Sequence, residues 1–266
     1  MIQFLAAAGP LFRRSRIEEF ACALFALALS LGGCATTATL TQEPPAGMPA
    51  AVPAPTITTG DSWTYRVRDG FTRLPREDQR HQVTRVGADR IEVAGAVERG
   101  DGTQVYDREW NWLRRPATDL QTFEYSPAYP AFAFPLTAGK RWRTHVTATD
   151  PRDGRRFPVR VDGVVLGWER VKVPAGEFEA LKIERTVHLG YWEQGLRGPS
   201  VIKEYEWYVP SVKWAVKREA VASYLRYVGT TSQSGLRRVD DSDSHGMPRY
   251  VQDDWLVYEL VSHTVR

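Results

Sequence analysis

Between Asp61 and Arg266, apolar and polar side chains alternate with a period of two, and this period strongly limits the folds available to the chain. The alternation is clear in Trp63–Val67, Leu181–Leu189, Tyr205–Val209 and Leu256–Leu260. Because successive side chains of a β-strand point to opposite faces, the pattern indicates strands with one buried and one solvated face. The apolar side chains, Tyr205 and Trp207 among them, are expected inside and the polar ones outside.

The pattern predicts an all-β fold: a single curved antiparallel sheet that forms an open or closed barrel of about ten to twelve strands. A two-sheet β-sandwich is the alternative. Turns are predicted at Pro174-Ala175-Gly176 and at four Asp-Gly pairs, because glycine adopts positive φ without strain. The pairs are Asp69-Gly70, Asp101-Gly102, Asp153-Gly154 and Asp162-Gly163.

Residues 1–33 have the composition of an export signal. Three arginines, at positions 13, 14 and 16, precede an apolar run from Phe20 to Leu31, which is shorter than the roughly 20 residues of a membrane-spanning helix. The run ends at Leu31-Gly32-Gly33-Cys34, which resembles the lipobox of bacterial lipoproteins. The resemblance implies that the mature chain begins at Cys34 and is anchored in a membrane by acyl chains on this residue. The resemblance to lipoproteins of Gram-negative bacteria further implies that Ala35, in place of Asp, directs the protein to the outer membrane of the cell envelope, on its periplasmic side.

Residues 34–60 are predicted to be a tether between the lipidated cysteine and a β-rich domain of residues 61–266. The segment holds five prolines among alanines and threonines, and Glu43 is its only charge. Such a composition is not expected to bury a core. A flexible tether of this length spans on the order of 30 Å and an extended one up to about 80 Å, so the domain is expected to stand clear of the lipid headgroups.

Aromatic side chains are the candidate binding residues. Trp110, Trp112, Trp142 and Trp207 are expected on the inner face of the sheet, either as core or as the wall of a ligand cavity. A proline-rich aromatic group is expected in a loop, because proline removes a backbone donor from a strand interior. It comprises Phe123, Tyr125, Tyr129, Phe132 and Phe134. This loop would cap the open end of the barrel, cover a cavity or touch lipid.

Three blocks of sequence carry a further resemblance. They are Phe134-Pro135-Leu136 with Gly139-Lys140-Arg141-Trp142, then Trp168 through Ile183 with the turn Val173-Pro174-Ala175-Gly176, and Glu206 through Lys217. They resemble a family of exported β-rich bacterial proteins of unknown function, many of them lipoproteins. The resemblance implies a curved antiparallel sheet, similar to the open barrel of periplasmic lipoprotein carriers, and implies no chemistry. Ser211 and Lys213-Trp214 depart from the usual glycines, so the turn there is expected to differ.

The spacing of residues identifies no catalytic site, no cofactor site and no metal site. The sequence has neither a Gly-x-Ser-x-Gly elbow nor a phosphate-binding loop, and its five histidines are scattered. The acidic stretch Asp240–His245 lacks the Gly and Glu of a calcium loop and is interpreted as a solvated loop. A formal net charge of only +3, together with export, argues against a nucleic-acid partner.

These observations favour a lipoprotein that is not an enzyme and that binds an apolar ligand or a partner protein in the envelope. A structural or assembly subunit of the envelope is the alternative. A hydrolase of envelope glycans is a further alternative, because its paired carboxylates could be brought together by folding.

Overall fold

A computed structural model describes residues 40–95, 102–116, 122–191, 197–226, 229–232, 235–238 and 250–266. The predicted export signal and Cys34 lie outside these residues. The described residues belong to one compact unit. Within them, no helix is long and apolar enough to cross a membrane.

Over the residues that the structure describes, the chain forms fourteen strands, numbered in chain order. They are β1 (Ser62–Asp69), β2 (Gln79–Val86), β3 (Ile91–Gly95), β4 (Thr103–Tyr106), β5 (Trp112–Pro116), β6 (Thr122–Tyr129), β7 (Arg141–Thr149), β8 (Arg156–Val173), β9 (Gly176–Leu189), β10 (Arg197–Val209), β11 (Trp214–Arg226), β12 (Gly229–Ser232), β13 (Gly235–Arg238) and β14 (Tyr250–Thr264).

Twelve of the strands close into a barrel in the order β1-β14-β11-β10-β9-β8-β7-β6-β5-β4-β3-β2, and β12 pairs only with β13. The barrel pairings are antiparallel. The prediction of an all-β antiparallel barrel is therefore confirmed, and the barrel is closed. The end of the barrel that carries the turn at residues 174–175 is called the strap end, after the segment of residues 40–57 described below. The opposite end, which carries the loops of residues 70–78 and 150–155, is called the far end.

The alternation along β8 places Phe157, Val159, Val161 and Val165 in the core, each less than 4% exposed. Gly163 interrupts this row because the ring of Trp142, its partner on β7, occupies the space of a side chain. A Cβ atom built on Gly163 would lie 2.2 Å from the ring atoms of Trp142. The prediction of a turn at Asp162-Gly163 is therefore wrong. The pair is part of a long strand, in which the glycine leaves space for the indole of Trp142.

The other described turns follow the sequence. Asp153-Gly154 connects β7 to β8, with a φ of 72° at Gly154, and Pro174-Ala175 connects β8 to β9. Asp69-Gly70 ends β1. Of the fourth pair, Asp101 lies outside the described residues. Lys213 ends the turn after β10 with a φ of 61°, a left-handed conformation that side chains rarely adopt.

Residues 40–57, here called the strap, lie against the barrel. Val52 and Ile57 are buried, at 1% and 5% exposure. Val52 also exchanges two backbone hydrogen bonds of 2.8 Å with Leu136. The prediction that this proline-rich segment buries no core is therefore wrong for residues 40–57, because two apolar side chains and paired backbone groups hold it in place.

The aromatic segment predicted as a loop is a strand over its first part. Phe123 and Tyr125 lie in β6 and are buried in the barrel. Pro127 is accommodated because β6 pairs with β7 only over Glu124–Ser126, so its missing N–H removes no ladder hydrogen bond. The second part does leave the sheet: Phe132 packs on Tyr208, with ring centroids 5.3 Å apart, at the strap end.

Candidate functional site

A cluster of four charged side chains occupies the middle of the barrel. Arg185 on β9 faces Glu204 on β10, and Glu206 on β10 faces Arg218 on β11, as direct cross-strand partners. Because β9, β10 and β11 are neighbours, the four side chains meet on the inner face. The side chains of Arg185, Glu204 and Glu206 are 1% to 2% exposed, and that of Arg218 is 13% exposed.

The four groups alternate in charge. Arg185 donates from Nε to Oε2 of Glu204 and from Nη2 to Oε1 of Glu206, both at 2.9 Å. Arg218 donates from Nη2 to Oε1 of Glu204 at 2.7 Å. The backbone oxygen of Ala131 accepts from Nη1 of Arg185 at 2.7 Å, and Tyr129 donates its hydroxyl to Glu204 at 3.2 Å. This degree of hydrogen bonding allows charges to persist away from water.

The electrostatics of the cluster keep both signs of charge. Burial alone would raise the pKa of Glu204, but the charges of Arg185 and Arg218 lower that pKa to about 2. Burial opposes the charged form of Arg185, yet Glu206 and Glu204 raise its pKa above the usual value. Glu204 and Arg185 therefore stay ionised at neutral pH.

Trp112 lies at the centre of this cluster. Its ring stacks on Tyr129, with centroids 4.3 Å apart and an interplanar angle of 11°. The guanidinium carbons of three arginines surround the ring: Arg115 at 4.3 Å, Arg218 at 5.8 Å and Arg185 at 6.0 Å. The electron-rich face of the indole stabilises these cations, so Trp112 acts as part of the polar core.

Arg115 is a third buried cation, 6% exposed. Among the described residues, it makes no ion pair with a carboxylate, and it lies against the rings of Trp112 and, at 5.8 Å, Trp214. His81 lies nearby, with its ring 5.3 Å from that of Trp214. Burial, aided by the charges of Arg115 and Arg218, lowers the pKa of His81 to about 3, so it is neutral at physiological pH.

Aromatic rings fill the strap end of the barrel. The ring of Trp214 lies 4.9 Å from that of Trp63 and 5.1 Å from that of Trp110, and Tyr106 packs on Trp110 at 4.4 Å. Trp63 donates its Nε1–H to the backbone oxygen of Val212 at 2.9 Å. Trp63 and Trp110 are fully buried. These rings therefore pack against one another as part of the core at this end of the barrel.

The four predicted tryptophans do not form one site. Trp110 belongs to the strap-end rings, Trp112 to the charged cluster, and Trp142 faces inward over Gly163 and donates to the backbone oxygen of Pro130 at 3.2 Å. Trp207 lies on the outer face, so the prediction that it lines the interior is wrong. A role of these residues in ligand binding stays a prediction.

Trp207 faces outward because its neighbours on the same strand, Glu204 and Glu206, face inward. The ring of Trp207 lies between two lysine ammonium groups, Lys182 at 4.7 Å and Lys217 at 4.5 Å. The prediction that the polar face of β10 meets solvent is therefore wrong. The physical reason is that two inward arginines on the flanking strands neutralise the two glutamates, while lysine stems cover the outward indole.

One signal in the sequence could have revealed the cluster. Arg185 stands in the same parity as Leu181, Ile183, Val187 and Leu189, all of which are buried. A charged residue in an inward register needs a buried partner. The two glutamates two residues apart on the following strand are the nearest candidates in sequence. No comparable signal points to Arg218, which lies on the strand next to β10, or to Arg115, whose neighbour Trp214 lies on a strand distant in sequence.

A small cavity lies beside Trp112 in the described part of the barrel interior. It is lined by Trp112, Tyr125, Tyr129, Val159, Val187, Leu189 and Ile202. The space open to the centre of a water molecule is ≈ 10 Å³, about the smallest that holds a single water. A lipid or another apolar molecule would therefore fit only if these side chains moved.

Other predicted features do not converge on a site. Across the described stretches, no group of three or more His, Cys, Asp or Glu side chains could hold a metal ion. His81 lies in the core, whereas His145, exposed on β7, and His188 on β9 lie apart from it. The acidic stretch Asp240–His245 lies outside the described residues. Within the charged cluster, Oε2 of Glu206 and Nε of Arg218 have no hydrogen-bond partner among the described residues.

Comparison with known proteins finds similar structures but no family. No model of a protein family matches the chain, and no curated protein matches it. A protein from Parabacteroides distasonis, described as a candidate lipoprotein, aligns with a TM-score of 0.43 and 14% identity over 80% of this chain and 99% of its own. A candidate exported protein with a YmcC-like fold from Bacteroides fragilis gives 0.41 and 16%, over 80% and 99%. The hypothetical lipoprotein YmcC from Escherichia coli gives 0.39 and 10%, over 95% and 98%.

Proposed function

We propose that the protein is a lipoprotein that is anchored through Cys34 in the outer membrane and is not an enzyme. In this proposal, its barrel lies in the periplasm and binds another envelope protein. The observation that carries the proposal is the dense packing of the described side chains inside the barrel. Among the described residues, buried ion pairs, edge-on tryptophan contacts and a cavity of ≈ 10 Å³ leave little room for cargo. Recognition is therefore assigned to the outer surface.

The far end offers a surface suited to docking. Phe71 and Leu74 in the loop between β1 and β2 are 48% and 64% exposed. Phe71 stands edge-on over Trp255 of β14, with centroids 5.5 Å apart and rings at 90°. These three residues are called the far-end cluster. Tyr250, 55% exposed, begins β14 at the same end. Exposed apolar side chains grouped in this way are typical of protein interaction sites.

A second candidate function is binding of an apolar small molecule in the barrel. The observation that favours it is the wall of the small cavity, which is entirely aromatic and aliphatic. A ligand there would have to displace side chains such as Tyr125 or Leu189. The filled state makes this function the weaker of the two.

Photo-cross-linking in living cells tests the docking function. A photoreactive amino acid at Leu74 is expected to give one cross-linked envelope protein, and the same protein is expected from a second probe at Tyr250. The substitution Phe71→Ser is expected to reduce the product severalfold, because it removes an apolar anchor without touching the core. A probe at exposed His145, on the outer wall, is the matched control. Equal products at Leu74 and His145 would rule out docking at the far end.

The lipid anchor is tested separately by labelling cells with a fatty acid. The wild-type protein is expected to carry the label at Cys34, and Cys34→Ala is expected to carry none and to keep its signal segment. Label in the Cys34→Ala variant would place the lipid elsewhere. Absence of label in both would remove the anchor from the proposal and leave the docking surface untouched.

A further inference from the structure

The strap begins by pairing with β8. Thr41 donates its backbone N–H to the oxygen of Trp168 at 2.9 Å and accepts from the N–H of Trp168 at 2.8 Å. Gln42 adds a bond from Nε2 to the backbone oxygen of Leu166 at 2.7 Å. On this edge of β8, the pairing with the β7 side ends at Val165, which bonds Gly139 and Lys140. Thr41 thus takes the next position along the same edge.

The chain after Thr41 remains bound. Val52 pairs with Leu136, Ile57 is buried, and Gly60 donates to the backbone oxygen of Val83 at 2.9 Å. Only the residues between Cys34 and Thr41 separate the proposed lipid from the barrel wall. About seven residues span at most about 25 Å, even when fully extended.

We propose that the strap sets the orientation of the barrel on the membrane. The β8–β9 hairpin, with its turn at Pro174-Ala175, faces the lipid headgroups, and the far-end cluster points away from them. This inference rests on the proposed lipid anchor at Cys34. It assigns the hairpin a partner of defined chemistry, the charged headgroup layer of the membrane that holds the lipid.

The direction of the chain supports this orientation. The pair Thr41–Trp168 is antiparallel, so Leu40, the residue before Thr41, lies on the side of the residues after Trp168. That direction leads along β8 to Val173 and the turn. Because at most about 25 Å of chain joins Cys34 to Thr41, the proposal places the lipid on the side of the hairpin.

The surface of the hairpin suits a headgroup layer and not its hydrocarbon core. The side chain of Arg170 is 74% exposed and that of Lys172 is 82% exposed. Each lies near a glutamate on β9, Glu179 at 2.6 Å and Glu177 at 3.6 Å. A rim of exposed ion pairs keeps its hydration, so the hairpin rests on the membrane surface and does not insert.

The far end lies well beyond the reach of the headgroups. β8 has 18 residues. At about 3.3 Å per residue and a tilt of about 40°, it extends over about 45 Å along the barrel axis. The far-end cluster is then presented to the periplasm, where a soluble partner or the domain of another envelope protein can reach it.

Headgroup quenching in liposomes tests the orientation with the full lipoprotein. A fluorophore is attached to Lys172→Cys or to Leu74→Cys, and the protein is reconstituted with lipids that carry a nitroxide on the headgroup. Acylated Cys34 leaves the mature chain with no other free thiol, since Cys22 lies in the signal. Quenching is expected to be severalfold stronger at position 172 than at position 74. Equal quenching, or stronger quenching at 74, would overturn the orientation.

A lengthened linker is the matched control. Ten Gly and Ser residues inserted between Thr39 and Leu40 leave the strap intact but remove the short connection, so quenching at position 172 is expected to fall to the level at position 74. A difference that persists would mean that the hairpin binds lipid without the strap, and would overturn this mechanism. Flotation separates the two proposals: wild-type protein that fails to float with liposomes refutes the lipid anchor itself.

Discussion

The ion pair between Arg185 and Glu204 joins Nε to Oε2 at 2.9 Å, although neither side chain is more than 2% exposed. Each is bound a second time within the cluster, to Glu206 and to Arg218. The barrel thus has a charged core inside an apolar wall. Buried pairs of this kind contribute little net stability against an apolar core, but removing one member leaves the other without compensation.

Arg185→Met is therefore expected to destabilise the fold strongly. The substitution leaves Glu204 and Glu206 with less positive charge around them, and breaking a buried pair costs about 3 to 5 kcal/mol. Urea unfolding monitored by tryptophan fluorescence measures the loss. The control is Arg143→Met, which removes an exposed ion pair with Asp162 and is expected to cost at most about 1 kcal/mol. Similar losses in the two variants would show that the buried cluster is not a structural centre.

His81 is expected to make the fold sensitive to mild acid. Its pKa is about 3 in the folded protein and higher in the unfolded chain, so the unfolded state takes up a proton first as the pH falls. Stability present above about pH 6.5 is lost toward pH 3, by up to about 1.4 kcal/mol per pH unit. Urea unfolding at pH 7 and pH 5 should show this slope in the wild type and a smaller slope in His81→Gln.

The surface substitution His145→Gln serves as the control for that experiment and should leave the slope unchanged. Glu204 adds a second loss at lower pH. Its pKa is about 2 when folded and higher when unfolded, so its contribution is present above about pH 4.5 and disappears as the pH falls toward 2. A wild-type slope between pH 7 and pH 5 no steeper than that of His81→Gln would contradict the assignment of His81.

Gly163→Ala is expected to destabilise the barrel through contact with Trp142. The added Cβ would lie 2.2 Å from the indole, and forcing such a group into a packed site costs about 1 to 3 kcal/mol. Thermal unfolding measures the effect. In a protein that already carries Trp142→Ala, the same glycine substitution should cost much less, because the clash is gone. An equal cost in both backgrounds would place the origin in the backbone and not in the indole.

The strap is expected to behave as part of the fold. Val52→Asp puts a charge at a position only 1% exposed, so it should release the strap and expose residues 40–57 to proteases. Limited proteolysis followed by mass spectrometry maps the cuts. Leu40→Asp, at a position 42% exposed, is the control and should change little. Equal protection of the strap from proteases in Val52→Asp and in the wild type would contradict the claim that burial of Val52 holds the strap on the barrel.

The periodicity of the sequence predicts the antiparallel barrel but does not predict which side chains fill its interior. Period-two alternation in β9 predicts that strand, because backbone geometry alone dictates the pattern, and the residue types of Pro174-Ala175-Gly176 predict the turn before it. In β8, by contrast, the prediction of a turn at the Asp162-Gly163 pair is wrong. The same alternation in β10 indicates which residues share a face but not which face is inside. The inward face is the one with Glu204 and Glu206, since arginines on the two neighbouring strands compensate them. That information is spread over three strands and is invisible to a local pattern.

Long-range packing explains the other differences. The composition of residues 34–60 resembles that of a tether. Val52 nevertheless forms backbone hydrogen bonds with Leu136, and Ile57 is buried in the core, and no local sequence rule predicts these contacts. Lys213 adopts a left-handed φ of 61° although it is not a glycine. Its Nζ lies 3.1 Å from Oδ2 of the fully buried Asp61, an interaction across the barrel end that holds this turn.

Native mass spectrometry of the mature lipoprotein, before and after extraction with organic solvent, tests the central claim most directly. A filled barrel on a lipid anchor predicts the mass of residues 34–266 with its covalent acyl chains, unchanged by extraction. An additional mass that extraction removes, and that disappears when Leu189→Trp fills the cavity wall, would contradict the filled interior and make the protein a carrier.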